Sequence, residues 1–473
     1  MRNVLREKSI QKQRSSVMTA SAAVTVMIQT FAVLSVFLLI GTILRAKVRL
    51  FQNLYLPACV IGGFLGLILG PNLLNIIPIS EDMMGMASGL PSVLFTPIIV
   101  ALPMCSAPFD GKAVSKQKGV LIMAAMLCLV GSLQYGIGLL VNAGFDMFGF
   151  ETYRAFGLEL AQGFIGGHGQ AGATGSMLQA LDQPYWETAQ GVVSTTATVG
   201  MIGGLVIGIA MLNIAARKGY TVCVKDASQV PCEFRVGYFA KGSDSPSMGN
   251  QTMVTNNIET LTLHLAVLLV ATGAGYILAN LISKLQWSLL GALATWIYAL
   301  AVMYVLWFCI RKLKLDYLFD EKVKNTITGL LSDYLIVAAI MTIPVKVVVT
   351  YWMPLATMCV IGLIVTPMAV WFIGKKYFGE CWLEKALGPM GCLTGVFVTG
   401  MLLIKMSDPD LKTPALNDYS MAYTLHNFYI IPFIVVLFPF VVTRGALQGG
   451  MLCVAMAAAW MVLILILGHK RKA

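Results

Sequence analysis

The chain has 473 residues, of which 58% are hydrophobic and 12% charged, and its mean hydropathy is +0.78. A soluble chain of this length needs far more charge on its surface, so the composition excludes that class and indicates a polytopic membrane protein. The net charge of +11 comes from short basic clusters between apolar runs. That distribution excludes a nucleic-acid partner and suits topology determinants that touch anionic lipid.

Taken in chain order, residues 1–19 form a basic tail. The first apolar run, Ala20 to Leu44, is long enough to span and lacks a small-residue cleavage site, so it reads as a span rather than a signal peptide. Further apolar runs follow at Leu54–Ile77, Val93–Met104, Val120–Val141 and Gly191–Ala215. The third is short and lies among Pro91, Pro97, Pro103 and Pro108, each of which removes a backbone donor, so a kink is expected there. Residues 217–259 are polar and divide the chain. The second half resumes with Leu261–Ile282, Trp287–Ile310, Tyr334–Val349 (with Pro344 near its end), Leu355–Ile373 and Asn427–Val442. A last apolar run, Ala446–Leu467, has no counterpart in the first half.

Two stretches, 225 positions apart, share the pattern Glu-x-x-x-Gly-x-x-Gly-x₇-Thr-Gly: Glu159, Gly163, Gly166, Thr174 and Gly175, then Glu384, Gly388, Gly391, Thr399 and Gly400. Glycine is costly inside a helix, so neither stretch makes a plain span. Such breaks at matching places in two halves point to the binding site of a secondary transporter. The predicted fold is therefore all-α and polytopic, with two inverted-topology repeats of five transmembrane helices, residues 20–216 and 260–443. Each carries a Gly-rich re-entrant hairpin, at about 155–181 and 384–405, and residues 444–473 add an extra helix and a basic tail.

Placing the 217–259 loop in the cytoplasm puts 24 of the 33 Lys and Arg residues inside. Five of the other nine fall in the first fourteen residues, which this orientation leaves outside. The two hairpins then enter from opposite faces.

Half-helix N-termini at the breaks offer unpaired N–H groups to a carboxylate, and freed carbonyls suit a hard cation such as Na⁺. The candidate substrate-binding residues are Gly166, Gly167, His168, Gly169, Gln170 and Thr174 in the first stretch, and Gly391, Thr394, Gly395 and Thr399 in the second. Close helix packing is the competing reading of the glycines. The span after the first stretch carries Ser194, Thr195, Thr196 and Thr198, and the three threonines are the candidate sodium ligands, against simple back-bonding within their own helix. Glu159 and Glu384 fit helix starts, while His264 and His426 lie near span starts and suit the interface. Lys405 and Asp408 suit surface positions. Eight of ten cysteines lie in or beside apolar runs, and Cys223 with Cys232 in the polar loop lacks the ligands for zinc. No Ser/His/Asp set or phosphate-binding loop is present, so the expected protein is not an enzyme and uses no cofactor.

The run Gly166-Gly167-His168-Gly169, the Gly-rich span Thr196–Gly208 and the step Ile258-Glu259-Thr260 resemble the bacterial sodium/glutamate symporters. The resemblance covers the chain from the first span through the tenth. It implies Na⁺-coupled uptake of glutamate or a related small carboxylate, an elevator-like movement of the hairpin-bearing core, a homodimer, and a place in the bacterial cell membrane. A proton-coupled carrier of an organic anion or amino acid is the alternative. The second stretch departs from the family's Gly-His-x-Gly pattern, reading Gly388-Pro389-Met390-Gly391, and the last span is additional.

Overall fold

The computed structural model describes residues 20–54, 56–105, 118–222, 236–239, 247–254, 256–284, 294–408 and 412–469. The basic tail at 1–19, the terminal 470–473, Cys223, Cys232 and most of the dividing loop lie outside the described residues. The first half holds α1 (Ala20–Lys47), α2 (Arg49–Asn53), α3 (Ala58–Leu69), α4 (Glu81–Val100), α5 (Lys118–Met147), α6 (Leu158–Gly166), α7 (Gly169–Ala180) and α8 (Trp186–Arg217). The second holds α9 (Thr260–Lys284), α10 (Thr295–Lys312), α11 (Glu321–Met341), α12 (Val345–Thr350), α13 (Trp352–Tyr377), α14 (Trp382–Cys392), α15 (Phe397–Ser407), α16 (Ala415–Arg444) and α17 (Ala446–His469).

Among the described residues, ten helices are long and apolar enough to cross a membrane. The expected second span is shorter than its apolar run. Pro57 precedes α3, and Gly70 followed by Pro71 stops it after 12 residues, since proline cannot continue a helix. The expected third span is longer than its apolar run. The Ser80 hydroxyl accepts from Met83 N–H, and Glu81 and Asp82 complement the first turn, so α4 starts well before Val93 and carries Pro91 and Pro97 inside it. The eighth run breaks at Thr342–Pro344 into α11 and the short α12.

Contacts between elements recur in the same order in both halves. The helix pair α1 and α3 packs as α9 and α10 do, α5 lies against α6 as α13 lies against α14, and α6 pairs with α7 as α14 pairs with α15. Between halves, α4 meets α11 and α5 meets α13. Helix α5 is the central span, buried along most of its length, including the polar Ser132, Gln134 and Asn142. The largest apolar core joins α5, α13, α14, α15 and α16.

Polar contacts identify the two ends of the bundle. At one end Lys375 Nζ meets Tyr220 Oη at 3.5 Å, Glu384 accepts from Val222 N–H at 2.7 Å, Asn250 bonds Asp320 at 2.9 Å, and Lys324 Nζ bonds the Met104 carbonyl at 3.2 Å. At the other, Arg154 bonds the Thr443 carbonyl at 2.6 Å and Asn72 bonds the Met341 carbonyl at 3.1 Å. Arg45, Arg217, Lys312, Lys324 and Lys375 gather at the first end. Arg154, Lys284, Lys346 and Arg444 are the described basic residues of the second.

Helices α1 and α3 cross at glycines. A Cβ on Gly41 would overlap the Ala58 carbonyl oxygen, and one on Gly62 would lie 2.5 Å from the Phe37 carbonyl oxygen. Small residues allow such backbone approach between membrane helices. Gly41→Ala and Gly62→Ala are therefore expected to destabilise the protein by ~1–3 kcal/mol in detergent melts. Gly85→Ala and Gly273→Ala, where a Cβ meets open space, should be neutral or stabilising by ~0.5–1 kcal/mol. Equal melting temperatures for all four would show that the α1–α3 crossing is looser than described.

Candidate functional site

Both Gly-rich stretches are pairs of short helices rather than spans. The first pair, α6 and α7, begins at Gly157, whose φ of +103° is left-handed and whose α-carbon abuts the Gly138 backbone. The Glu159 carboxylate accepts from Gly157 N–H at 2.7 Å and from Tyr153 Oη at 2.7 Å, which fixes the start of α6. Helix α6 ends at Gly167, with φ +62°, and His168 is the residue before α7, its side chain making no capping bond. The second pair opens at Cys381, with φ +49°, and carries Pro389 inside α14. Its turn passes through Thr394 and Gly395 to Val396, whose extended backbone starts α15. Tyr419 holds that start: its hydroxyl donates to the Phe397 carbonyl at 3.1 Å and its ring stacks on Phe397 at 4.7 Å.

The two turns meet. A Cβ on Gly167 would lie 2.7 Å from Val396 Cγ1 and 3.5 Å from the Gly395 carbonyl oxygen. At the start of α7 the Gln170 and Ala171 N–H groups bond the Gly167 and His168 carbonyls at 3.1 Å, and at the start of α15 the Thr399 and Gly400 N–H groups bond the Val396 carbonyl at 3.0 and 3.2 Å. The N–H groups left at the two helix starts are therefore those of Gly169, Phe397 and Val398. No Lys or Arg occurs between Arg154 and Arg217, so the first pair brings no cation of its own.

Helix α8 lies against both pairs. On the α6 side the Thr196 hydroxyl donates to the Glu159 carbonyl at 2.7 Å, and a Cβ on Gly163 would lie 2.5 Å from Ala197 N. On the α14 side it presents Gly200, Gly204 and Gly208. A Cβ on Gly200 would lie 2.8 Å from the Thr394 carbonyl oxygen and also 2.7 Å from Phe164 Cδ1 of α6, one on Gly204 would fall inside the Thr394 side chain, and one on Gly208 would lie 2.6 Å from Leu403 Cδ1.

The sequence candidates distribute around this contact. His168 Nε2 and Thr198 Oγ1 are 2.9 Å apart, and Thr198 Oγ1 donates to the Ser194 carbonyl at 2.9 Å. With its proton used there, Thr198 accepts from Nε2–H of the neutral His168 ring. Thr195 donates to the Gly191 carbonyl at 2.9 Å and is half-buried, whereas Thr196 and Thr198 are buried. Gln170 folds over Gly166, and Thr399 folds over Gly395 in the same way. Gly391 packs on the Gly400 backbone, 2.6 Å from a Cβ built there, and Gly169 faces Phe95. The Thr394 hydroxyl donates to the Met390 carbonyl at 2.8 Å. Thr174 is buried, and among the described residues its hydroxyl has no protein partner.

Sequence reasoning did not single out several polar groups. Gln134 of α5 donates to the Leu393 carbonyl at the end of α14 and to Thr366 of α13, both at 2.8 Å. Its Oε1, and both amide atoms of Gln162, are buried without a protein partner among the described residues. For Gln134, an amide within a largely apolar span was the available signal. His426, expected at the interface, is wholly buried with Nδ1 3.5 Å from Cys128 Sγ. His264 is also buried: its Nδ1 meets the Thr260 carbonyl at 2.7 Å and its Nε2 accepts from Asp320 N–H at 2.8 Å. Asp408, expected at the surface, is buried and accepts from Lys412 N–H, Thr413 N–H and the Thr413 hydroxyl at 2.7–2.9 Å.

If Gly204 exists to admit Thr394, Gly204→Ala should destabilise by ~1–3 kcal/mol, and adding Thr394→Ala should recover most of that loss. Strictly additive losses in detergent melts would mean that the two residues do not touch.

A family model described as sodium/glutamate symporter matches residues 23–382. The match ends on the first residue of α14, so α15 and the turn before it lie beyond it. A search of curated proteins returned no match. With ten helices of spanning length and apolarity and with more than half of its length matched, the chain belongs to the sodium/glutamate symporter family and is a multi-pass membrane transporter, not an enzyme.

Proposed function

We propose that the protein is a sodium-coupled carrier that takes up glutamate or a related small carboxylate across a bacterial cell membrane. The observation that carries this reading is the meeting of the two turns, Gly167 against Gly395 and Val396, where α7 and α15 both begin. Two helix starts directed at one place favour a substrate with two carboxylates over one with a single negative charge. Gly166 to Gln170 with Thr174, and Gly391, Thr394, Gly395 and Thr399, form the substrate site in this reading. The buried, unpartnered amide of Gln162 and hydroxyl of Thr174 add polar capacity around it. Thr195, Thr196 and Thr198 are the sodium candidates; each hydroxyl donates to a carbonyl, which leaves the oxygen lone pairs of Thr195 and Thr196, and the one that Thr198 does not use for His168, for a hard cation.

The halves act as inverted repeats and the helix pairs as re-entrant hairpins. The matched order of contacts supports this, as do the chain ends: α6 follows from the Arg154 end of the bundle and α14 from the Lys375 end. The excess of Lys and Arg at the Lys375 end makes it cytoplasmic. Elevator-like movement and a homodimer rest on the family resemblance.

Uptake of labelled glutamate into proteoliposomes, with Na⁺ and pH gradients imposed separately, tests the reading. Uptake should require Na⁺ and vary little over mild pH changes. Gly167→Ala places a Cβ in a left-handed residue against Val396 and should reduce uptake at least about tenfold, the equivalent of about 1.4 kcal/mol, with folding retained. Thr198→Val should raise the Na⁺ concentration for half-maximal uptake more than it changes the substrate requirement. Robust pH-driven uptake in Na⁺-free buffer would replace the sodium reading with the proton-coupled one.

A further inference from the structure

A cavity of about 150 Å³ lies between α4, α8 and the break after α11. It holds several waters' worth of space, since one water needs roughly 10–15 Å³ by this measure. Its rim carries the exposed Glu187, and its floor the buried Gln190 and Ser194. Ser88 and Thr342 add hydroxyls to its wall, and Pro344 closes one side against Gly191, where a Cβ would overlap the proline ring. No basic side chain lines it. A site that pairs a carboxylate with hydroxyl and amide oxygens suits a monovalent cation and repels a free anion.

The floor connects to the contact between the two hairpin turns. Ser194 donates to the Gln190 carbonyl at 3.1 Å, its own carbonyl accepts from Thr198, and Thr198 holds His168 at the first turn. Gln190 is fixed from two directions, donating to the Ser88 carbonyl at 2.8 Å and accepting from the Ser92 hydroxyl at 3.2 Å. The oxygen-rich floor is therefore held rigidly by α4 and α8. Glu187, by contrast, has no ion-pair or hydrogen-bond partner among the described residues, so its charge stays available to an incoming cation. The cavity opens at the end of the bundle that is poor in Lys and Arg, the extracytoplasmic end in the orientation proposed above.

We propose that this cavity is the entry vestibule of the coupling cation, in which Glu187 concentrates a monovalent cation and Gln190 and Ser194 pass it toward Thr198. This rests on the sodium-coupled reading of the same site and extends it to the route of the ion. The alternative source of positive charge is the ammonium group of an amino-acid substrate, and the two sources are separable.

The experiment uses the full chain in proteoliposomes, with Na⁺ titrated at fixed glutamate and glutamate titrated at fixed Na⁺. Glu187→Gln should raise the half-saturating Na⁺ concentration roughly threefold or more, with Glu187→Lys raising it further and Glu187→Asp raising it least. The effect should weaken as inert salt screens the charge. Glu187 is exposed, so these variants should fold, and Ser88→Arg provides an independent test by placing a cation in the wall. Unchanged Na⁺ activation in both Glu187→Lys and Ser88→Arg would overturn the vestibule. So would a shift confined to the glutamate titration, which would assign the cavity to the substrate's ammonium group. Failure of the wild-type protein to depend on Na⁺ would instead overturn the underlying sodium-coupled reading.

Discussion

The centre of this protein depends on the distance at which α8 passes the two short helix pairs. Two broken helices in an apolar bundle leave backbone N–H and carbonyl groups without partners, which is tolerable at membrane depth only when protein or a water-filled cavity surrounds them. Helix α8 meets that requirement on both sides. One side supplies hydroxyls, with Thr196 on the Glu159 carbonyl and Thr198 on His168. The other supplies absence of side chain, so that Thr394 and Leu403 approach the helix backbone at Gly200, Gly204 and Gly208. A helix with ordinary side chains at those positions would separate the turns and expose the broken ends.

The two sides differ in what they constrain. The hydrogen bonds that Thr196 donates to the Glu159 carbonyl and that Thr198 accepts from His168 are directional and set a single register between α8 and the first pair. Contact at the glycine stripe is mostly van der Waals and shape-limited, with small costs for small displacements. The second pair takes its directional restraints from elsewhere. Gln134 holds the Leu393 carbonyl from α5, and Tyr419 holds the Phe397 carbonyl from α16. The first pair is thus keyed to α8 and the second to α5 and α16, although their sequence patterns match.

Much of this was legible in the chain. The repeated Glu-x-x-x-Gly-x-x-Gly pattern marked both helix pairs to within a few residues, because glycine and proline change backbone options locally. The hydroxyl and glycine faces of α8 could be read from Ser194 to Gly208, although not which face met which pair. Helix ends were less legible where polarity and apolarity mix. Residues 81–92 of α4 are not strongly apolar, yet the Ser80 cap and the two acidic residues after it start the helix there. Beyond α3, apolarity was misleading in the other direction. Leu73, Leu74, Ile76 and Ile77 continue the apolar run, but the Gly70-Pro71 step ends the helix before them.

Side-chain partners were the least legible part, because they depend on which elements meet across the bundle. His426 and His264 sit near span starts in the sequence and were expected at an interface, whereas both are enclosed, and His264 joins α9 to the start of α11 through Asp320. Gln134 is one of two amides in an apolar helix, and only the assembled bundle gives it a carbonyl 259 positions away. The glycines show the same dependence from the opposite side. Gly166 and Gly391 occupy equivalent places in the repeat, yet one is covered by its own Gln170 and the other by the Gly400 backbone. A sequence repeat therefore fixes where backbone will be bare, while the neighbours that reach it decide whether that bareness serves packing or a ligand.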